Sequence, residues 1–120
     1  MSKIEDSLLN LIGNTPIIKL ESFDTGKCDL FVKLENHNPG GSIKDRIGLS
    51  IIEEAEKSGK IKPGGTIIEA TAGNTGIGLA LVAAIKGYKM ILVIPDKMSR
   101  EKILHLKGLG AEIILTRSDV

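Results

Sequence analysis

The sequence predicts an α/β fold: a three-layer arrangement with a parallel sheet and covering helices. Three observations carry that prediction. Helical and strand-like segments alternate from residue 42 onward, the strand-like segments are short and rich in Ile, Leu and Val, and serines stand where two of the helices begin. Such alternation argues for βαβ crossovers, which keep strands parallel, and nearly continuous apolar strands argue for a sheet covered on both faces.

Taken in order, two short extended segments come first, residues 16–20 after the turn-like Gly13-Asn14-Thr15, and residues 30–34. Ser42 then caps a helix that runs to about Lys57 and ends at Ser58-Gly59. Residues 66–70 form a strand that leads directly into a second helix, residues 74–86. A strand over residues 90–94, a helix capped by Ser99 and running to about Lys107, and a strand over residues 111–116 complete the series. The second helix, around IGLALVAAI, is apolar all round, as a helix buried on both sides is. The rest of the chain is expected to give it too little to pack against. With the chain ending just after a strand, the sequence reads as part of a larger fold.

Charge and composition narrow the partners. Sixteen basic and fifteen acidic residues leave a formal charge of +1, so no strong field gathers nucleic acid or a membrane surface, and small molecules are the expected partners. The single cysteine, Cys28, forms no internal disulfide, and His37 and His105 stand at no zinc-ligand spacing. A reducing cytoplasm is the expected location. The amino terminus, MSKIEDSLLN, has no apolar signal region, and the apolar run over residues 77–85 is far shorter than a membrane span.

The stretch Asn38-Pro39-Gly40-Gly41-Ser42-Ile43-Lys44-Asp45-Arg46 places a lysine at the positive end of a helix dipole. Stepping 100° per residue puts Lys44 in one arc with Ile47, Gly48, Ile51, Ile52 and Ala55, flanked by Ile43, while Arg46, Glu53, Glu56 and Lys57 fall on the other, solvated face. Lys44 is therefore expected to point inward. Burial and the helix start both favour the neutral amine, which is how a lysine becomes a nucleophile able to form a Schiff base. Ser42 and Asp45 have the spacing of a capping box. The plainer reading is a lysine stem along the core with its ammonium in water.

After the strand TIIEA comes Thr71-Ala72-Gly73-Asn74-Thr75-Gly76-Ile77-Gly78, a glycine-rich turn entering a helix. Free backbone N–H groups and hydroxyls at that helix start make a site for a carboxylate or phosphate. Two other readings stand beside this one. The turn is close to the T-G-x-x-x-G-I-G turn of nicotinamide-dependent short-chain dehydrogenases, with Asp96 twenty residues beyond Gly76 as a ribose-binding acid, although that fingerprint should follow the first strand and more than sixty residues precede it. Alternatively the glycines serve the geometry of a tight turn alone.

Taken together, LIGNTPIIKL, VKLENHNPGGSIKDRIG, KPGGTIIEATAGNTGIGLALVAA and GLGAEIILT resemble the cysteine synthase and cystathionine β-synthase family of pyridoxal-phosphate enzymes, whose fold includes the tryptophan synthase β chains. IEATAGNTGIGLAL looks most like bacterial members assigned to reverse transsulfuration; GGSIKDRI is also typical of cystathionine β-synthases. The resemblance implies that Lys44 holds pyridoxal phosphate as a Schiff base, is freed by the amino-acid substrate and then shuttles the α-proton. It implies that Asn74 hydrogen-bonds the cofactor's ring hydroxyl, and that Thr71, Gly73 and Thr75, with the backbone of the loop through Ala72 and Asn74, hold the substrate carboxylate. Ala72 replaces the serine of the commoner T-S-G-N-T-G form, removing a hydrogen bond of about 0.5–1.5 kcal/mol.

The implied reaction is β-replacement on O-acetylserine or serine by sulfide or a thiol, giving cysteine or cystathionine; the residues do not separate these donors and acceptors. Family members are longer, two-domain homodimers. By that resemblance residues 1–40 are amino-terminal strands of the larger domain and residues 41–120 the smaller α/β domain, a partial fold expected to be weakly active or inactive alone. Apart from a nicotinamide-binding domain, the alternative is a non-enzymatic interaction fragment.

Overall fold

A computed structural model of the chain describes residues 4–71 and 73–119. Among the described residues the first element is a 3-10 turn, Leu8–Leu11, capped by the Ser7 hydroxyl, which accepts from Leu9 N–H at 3.2 Å. Strands β1 (Ile17–Leu20) and β2 (Leu30–Lys33) pair antiparallel, Ile17 opposite Lys33 and Leu20 opposite Leu30. The remainder is α1 (Lys44–Lys57), β3 (Thr66–Ala70), α2 (Asn74–Lys86), β4 (Lys89–Pro95), α3 (Arg100–Gly108) and β5 (Glu112–Thr116). Strands β3, β4 and β5 form one parallel sheet in that order, with Ile67 opposite Met90 and Leu92 opposite Ile113. The α/β class and the parallel crossovers are those the sequence predicts, and Ser99 caps α3 as expected, accepting from Lys102 N–H at 3.3 Å.

Alternation along β4 sets the core. Met90, Leu92 and Ile94 are buried on one face, and α2 lies over them. Every residue of α2 from Gly76 to Ala83 is buried, because the sheet covers one side of the helix and α1 the other, with α3 beside it. The layers are thus the sheet, then α2 and α3, then α1. This corrects the expectation that the chain gives α2 too little to pack against. The second cover is α1, brought close by two glycines described below.

The other face of the sheet departs from the predicted double cover. Ile68 is 65% exposed and Ile114 is exposed, so the described residues cover one face only. Helix α2 ends at Gly87, whose φ of +79° favours glycine, and the Gly87 N–H bonds the Ala83 carbonyl. Beyond it, Glu56 near the end of α1 accepts from Lys86 Nζ at 2.9 Å and from the Tyr88 hydroxyl at 2.7 Å.

Candidate active site

The site is built where α1 and α2 begin. A Cβ on Gly78 would stand 2.5 Å from the Lys44 carbonyl oxygen, and one on Gly48 would stand 2.6 Å from the Gly78 carbonyl carbon. Backbone lies against backbone here, so a side chain at either position would drive the helices apart. The second contact between them, Glu56 with Lys86, is at their carboxyl ends. The two helices therefore run parallel, and both positive ends lie together.

The sequence-predicted residues gather at that shared end. Lys44 is the first residue of α1, half-buried, and among the described residues its Nζ has no hydrogen-bond or ion-pair partner. Asn74 is the first residue of α2; its side chain is exposed and also unpartnered among the described residues. Thr71 follows β3, its hydroxyl accepting from Gly73 N–H at 3.3 Å, and Thr75 is half-buried in the first turn of α2. Gly73, the N-cap residue just before α2, has no side chain with which to cap it. Ala72 lies outside the described residues.

Two expectations about α1 are corrected. The face turned to α2 carries Asp45, Gly48 and Ile52, all buried, whereas Ile43, Ile47 and Ile51 are exposed beside Lys44. Gly48 and Ile52 of the expected arc do face inward, but the close glycine crossing turns the helix so that Asp45 joins them and Ile43, Ile47 and Ile51 do not. Nor do Ser42 and Asp45 form a capping box. Ser42 Oγ accepts from Lys44 N–H at 3.1 Å, while the Asp45 carboxylate reaches back to accept from Gly40 N–H.

Arg46 is also not the solvated charge that helical phase suggests. Its Nε donates to Glu35 Oε2 at 2.9 Å, and its Nη2 donates to Glu35 Oε1 at 3.1 Å and Thr15 Oγ1 at 3.3 Å. Thr15 and Asn38 donate to the same carboxylate at 2.6 and 2.9 Å, and Asn38 Oδ1 accepts from Gly13 N–H at 2.8 Å. The bonds from Arg46 and Thr15 hold the Glu35 carboxyl down to about 2. Asp45 is the opposite case, since burial pushes its carboxyl above the usual aspartate value and only the Gly40 bond opposes this. Sequence reasoning assigned none of Thr15, Glu35 or Asn38 to the site. The signal available was the run of polar and glycine residues before Lys44, which has no helical or strand period to account for it.

The dinucleotide reading fares less well on geometry. Gly76 sits under Thr71, whose methyl would be 2.6 Å from a Cβ there, and Gly78 packs on Lys44, so both glycines serve packing within the protein. Asp96 accepts from the Ser118 hydroxyl. Among the described residues no group of three or more His, Cys, Asp and Glu could hold a metal ion, and no helix is long and apolar enough to cross a membrane.

Comparison with known proteins gives a consistent picture. The family model described as "Pyridoxal-phosphate dependent enzyme" matches residues 8–120. A cysteine synthase of Staphylococcus aureus is 55% identical over 112 residues, covering 92% of this chain and 36% of that protein. A cystathionine beta-synthase of Mus musculus is 55% identical over 117 residues, covering 95% of this chain and 21% of that protein. Among solved structures, a hydrogen sulfide-producing enzyme from Fusobacterium nucleatum superposes with a TM-score of 0.93 at 51% identity, over 98% of this chain and 39% of its own. An O-ureido-L-serine synthase superposes with a TM-score of 0.92 at 41% identity, over 98% and 37%. The chain thus spans 36% of the length of the bacterial relative and less of the mouse one.

Proposed function

The chain belongs to the family of pyridoxal-phosphate dependent enzymes, and on that premise we propose that it carries the lysine-bearing part of an enzyme of β-replacement on O-acetylserine or serine. Sulfide or a thiol is the second substrate, and cysteine or cystathionine the product. The observation that carries this reading is the unpartnered Lys44 amine at the common positive end of two parallel helices, with the free amide of Asn74 at the start of the second. That donor set fits an anionic, carbonyl-bearing cofactor: an amine to bond the carbonyl, an amide for a ring oxygen, and uncapped N–H groups for anionic oxygens.

In this proposal Lys44 and Asn74 hold pyridoxal phosphate, which when bound supplies an electron sink for charge developing on the substrate α-carbon. The residues of the chain do the rest. Thr71, Gly73, Thr75 and the loop backbone through Ala72 and Asn74 hold the substrate carboxylate, which fixes the α-carbon for attack. Lys44 Nζ takes the α-proton and can return it, a positioned proton transfer worth about 10²- to 10⁴-fold in rate. Gly48 and Gly78 keep that amine and the carboxylate loop in register by joining the two helices. Residues 1–40 belong to a larger domain and residues 41–120 to a smaller one in this reading, which is supported by a hairpin that does not join the parallel sheet. The same proposal includes a homodimeric enzyme in a reducing cytoplasm.

The test is to incubate the purified chain with pyridoxal phosphate, reduce with borohydride and map the adduct by peptide mass spectrometry, with Lys44→Ala as control. A selective adduct on Lys44 is expected; adducts scattered over many lysines would count against the assignment. A chimaera in which the chain replaces the matching segment of the S. aureus cysteine synthase should turn over O-acetylserine and sulfide, and Lys44→Ala in it should lower turnover by at least about 10²-fold.

A further inference from the structure

We infer that Asp45 is a positioning residue for Lys44, fastening the Gly40-Gly41 turn to the first turn of α1 so that the lysine leaves the helix start in one fixed direction. Its relevance to catalysis rests on the proposed role of Lys44.

Asp45 is an aspartate with 0% exposure, in a molecule where the other buried polar side chains are only Thr15 and Asn38 among the described residues. One oxygen accepts from Gly40 N–H; the other, Oδ1, has no hydrogen-bond partner among the described residues. A buried carboxyl with half its bonding unmet costs stability, so the sequence retains here a group that packing alone would not choose. Its fit is also restrictive. A Cβ on Gly40 would stand 2.3 Å from Oδ1, so the turn closes on this carboxyl only as glycine. The next residue, Gly41, has a φ of +88° and donates to the Asn38 carbonyl at 2.8 Å, which turns the chain back into the helix.

The neighbouring side chain holds the same segment from the other direction. Arg46 is bound to Glu35, and Asn38 to Glu35 as well, so the chain before the turn is anchored to the helix after it. Gly78 bears on the backbone between them, its Cβ position 3.1 Å from Asp45 N. Of the three consecutive residues Lys44, Asp45 and Arg46, two are spent on anchoring and one has a free head group. Asp45 is the anchor closest to the lysine backbone and the one wholly shielded from water.

The experiment uses the chain without cofactor and two site-resolved readouts. One is hydrogen exchange of the Gly40 amide by NMR; the other is the acetylation rate of Lys44 relative to the exposed Lys60 and Lys62, by mass spectrometry. Asp45→Ala should speed Gly40 exchange by about tenfold or more and change the relative Lys44 rate, while Asp45→Asn, which keeps an acceptor oxygen, should stay close to the wild type on both. A folded Asp45→Ala with both readouts unchanged would overturn the inference. Should Asp45→Ala fail to fold, the wild type and Asp45→Asn decide: a Gly40 amide protected in both supports the clamp, and one exchanging like an open-loop amide in the wild type rejects it. Loss of the borohydride-trapped adduct in the wild type, with these readouts behaving as expected, would reject the cofactor role of Lys44 and leave the positioning role standing.

Discussion

The hairpin of β1 and β2 and the parallel unit from β3 to β5 are both built from short apolar strands, yet they are held in place by different forces. In β4 every second residue is shut away under α2, and Leu92 has no exposed surface. In the hairpin Ile17 is 64% exposed and Phe31 55%, with Ile18 and Leu30 also exposed, so both faces of a two-stranded ribbon meet solvent. Such a ribbon is marginal by itself. The segment just before it is tied to the core through Leu9 and Ile12, and the ribbon itself is held by polar bonds: Leu34 N–H to the Pro16 carbonyl at 2.8 Å, Lys33 Nζ to the Thr15 carbonyl at 2.7 Å, and the Glu35, Arg46 and Thr15 network. Burial therefore fixes the sheet and its helices, while hydrogen bonds and two ion pairs hold the hairpin: Lys19 with Asp29 within it, and Arg46 with Glu35 between it and α1. The candidate site lies at their junction, since Arg46 belongs to the helix that starts with Lys44.

The largest effect should come from truncating the buried partner in this comparison. Leu92→Ala is expected to cost about 2–5 kcal/mol, because it leaves a cavity beneath α2, whereas Phe31→Ala on the hairpin should stay within about 0.5 kcal/mol of the wild type. Urea denaturation of both variants checks this. Equal losses would mean that the exposed strand face is buried in solution and that the contrast is wrong. Gly78→Ala follows, with an expected cost of about 1–3 kcal/mol from overpacking against the Lys44 carbonyl. It should also lower the selectivity of cofactor trapping on Lys44, because the two helix starts can no longer meet; a variant with unchanged stability and trapping would remove Gly78 from the site's architecture.

How far the sequence carried depends on which kind of force was at work. The strands and helices of the parallel unit were legible to within a residue or two, since burial writes itself into the chain as period and composition. Helix α2 was readable as a helix covered on both sides from IGLALVAAI alone, and the glycine-rich turn that leads into it from TAGNTGIG. The phase of α1 was legible only in part: Gly48 and Ile52 were placed inward, but a hydrophobic stripe says nothing of how closely two backbones approach at Gly48, which is what buries Asp45 and leaves Ile47 and Ile51 exposed. The Glu35 network was equally hidden. Its members come from Thr15, Glu35, Asn38 and Arg46, and nothing in a linear pattern says that charges eleven residues apart across a turn will meet.

The smallest effect, and the one that most sharpens the contrast, is in acid. The Glu35 carboxyl is held at about 2 when folded, below its ordinary 4.5, so the stabilisation it provides is complete above about 4.5 and is lost as pH falls from there toward 2. Asp45 runs the other way. Its carboxyl is raised by burial, so its penalty is relieved as pH falls through that raised value. Arg46→Gln removes the main cause of the Glu35 shift and leaves Asp45 in place. The difference in urea midpoint between the wild type and Arg46→Gln should therefore be present at pH 6 and shrink at pH 3, with the amides of residues 30–33 the first to lose exchange protection in the variant. A difference that is the same at both values would mean that the ion pair does not hold the hairpin, and that the few apolar contacts of Leu9 and Ile12 suffice.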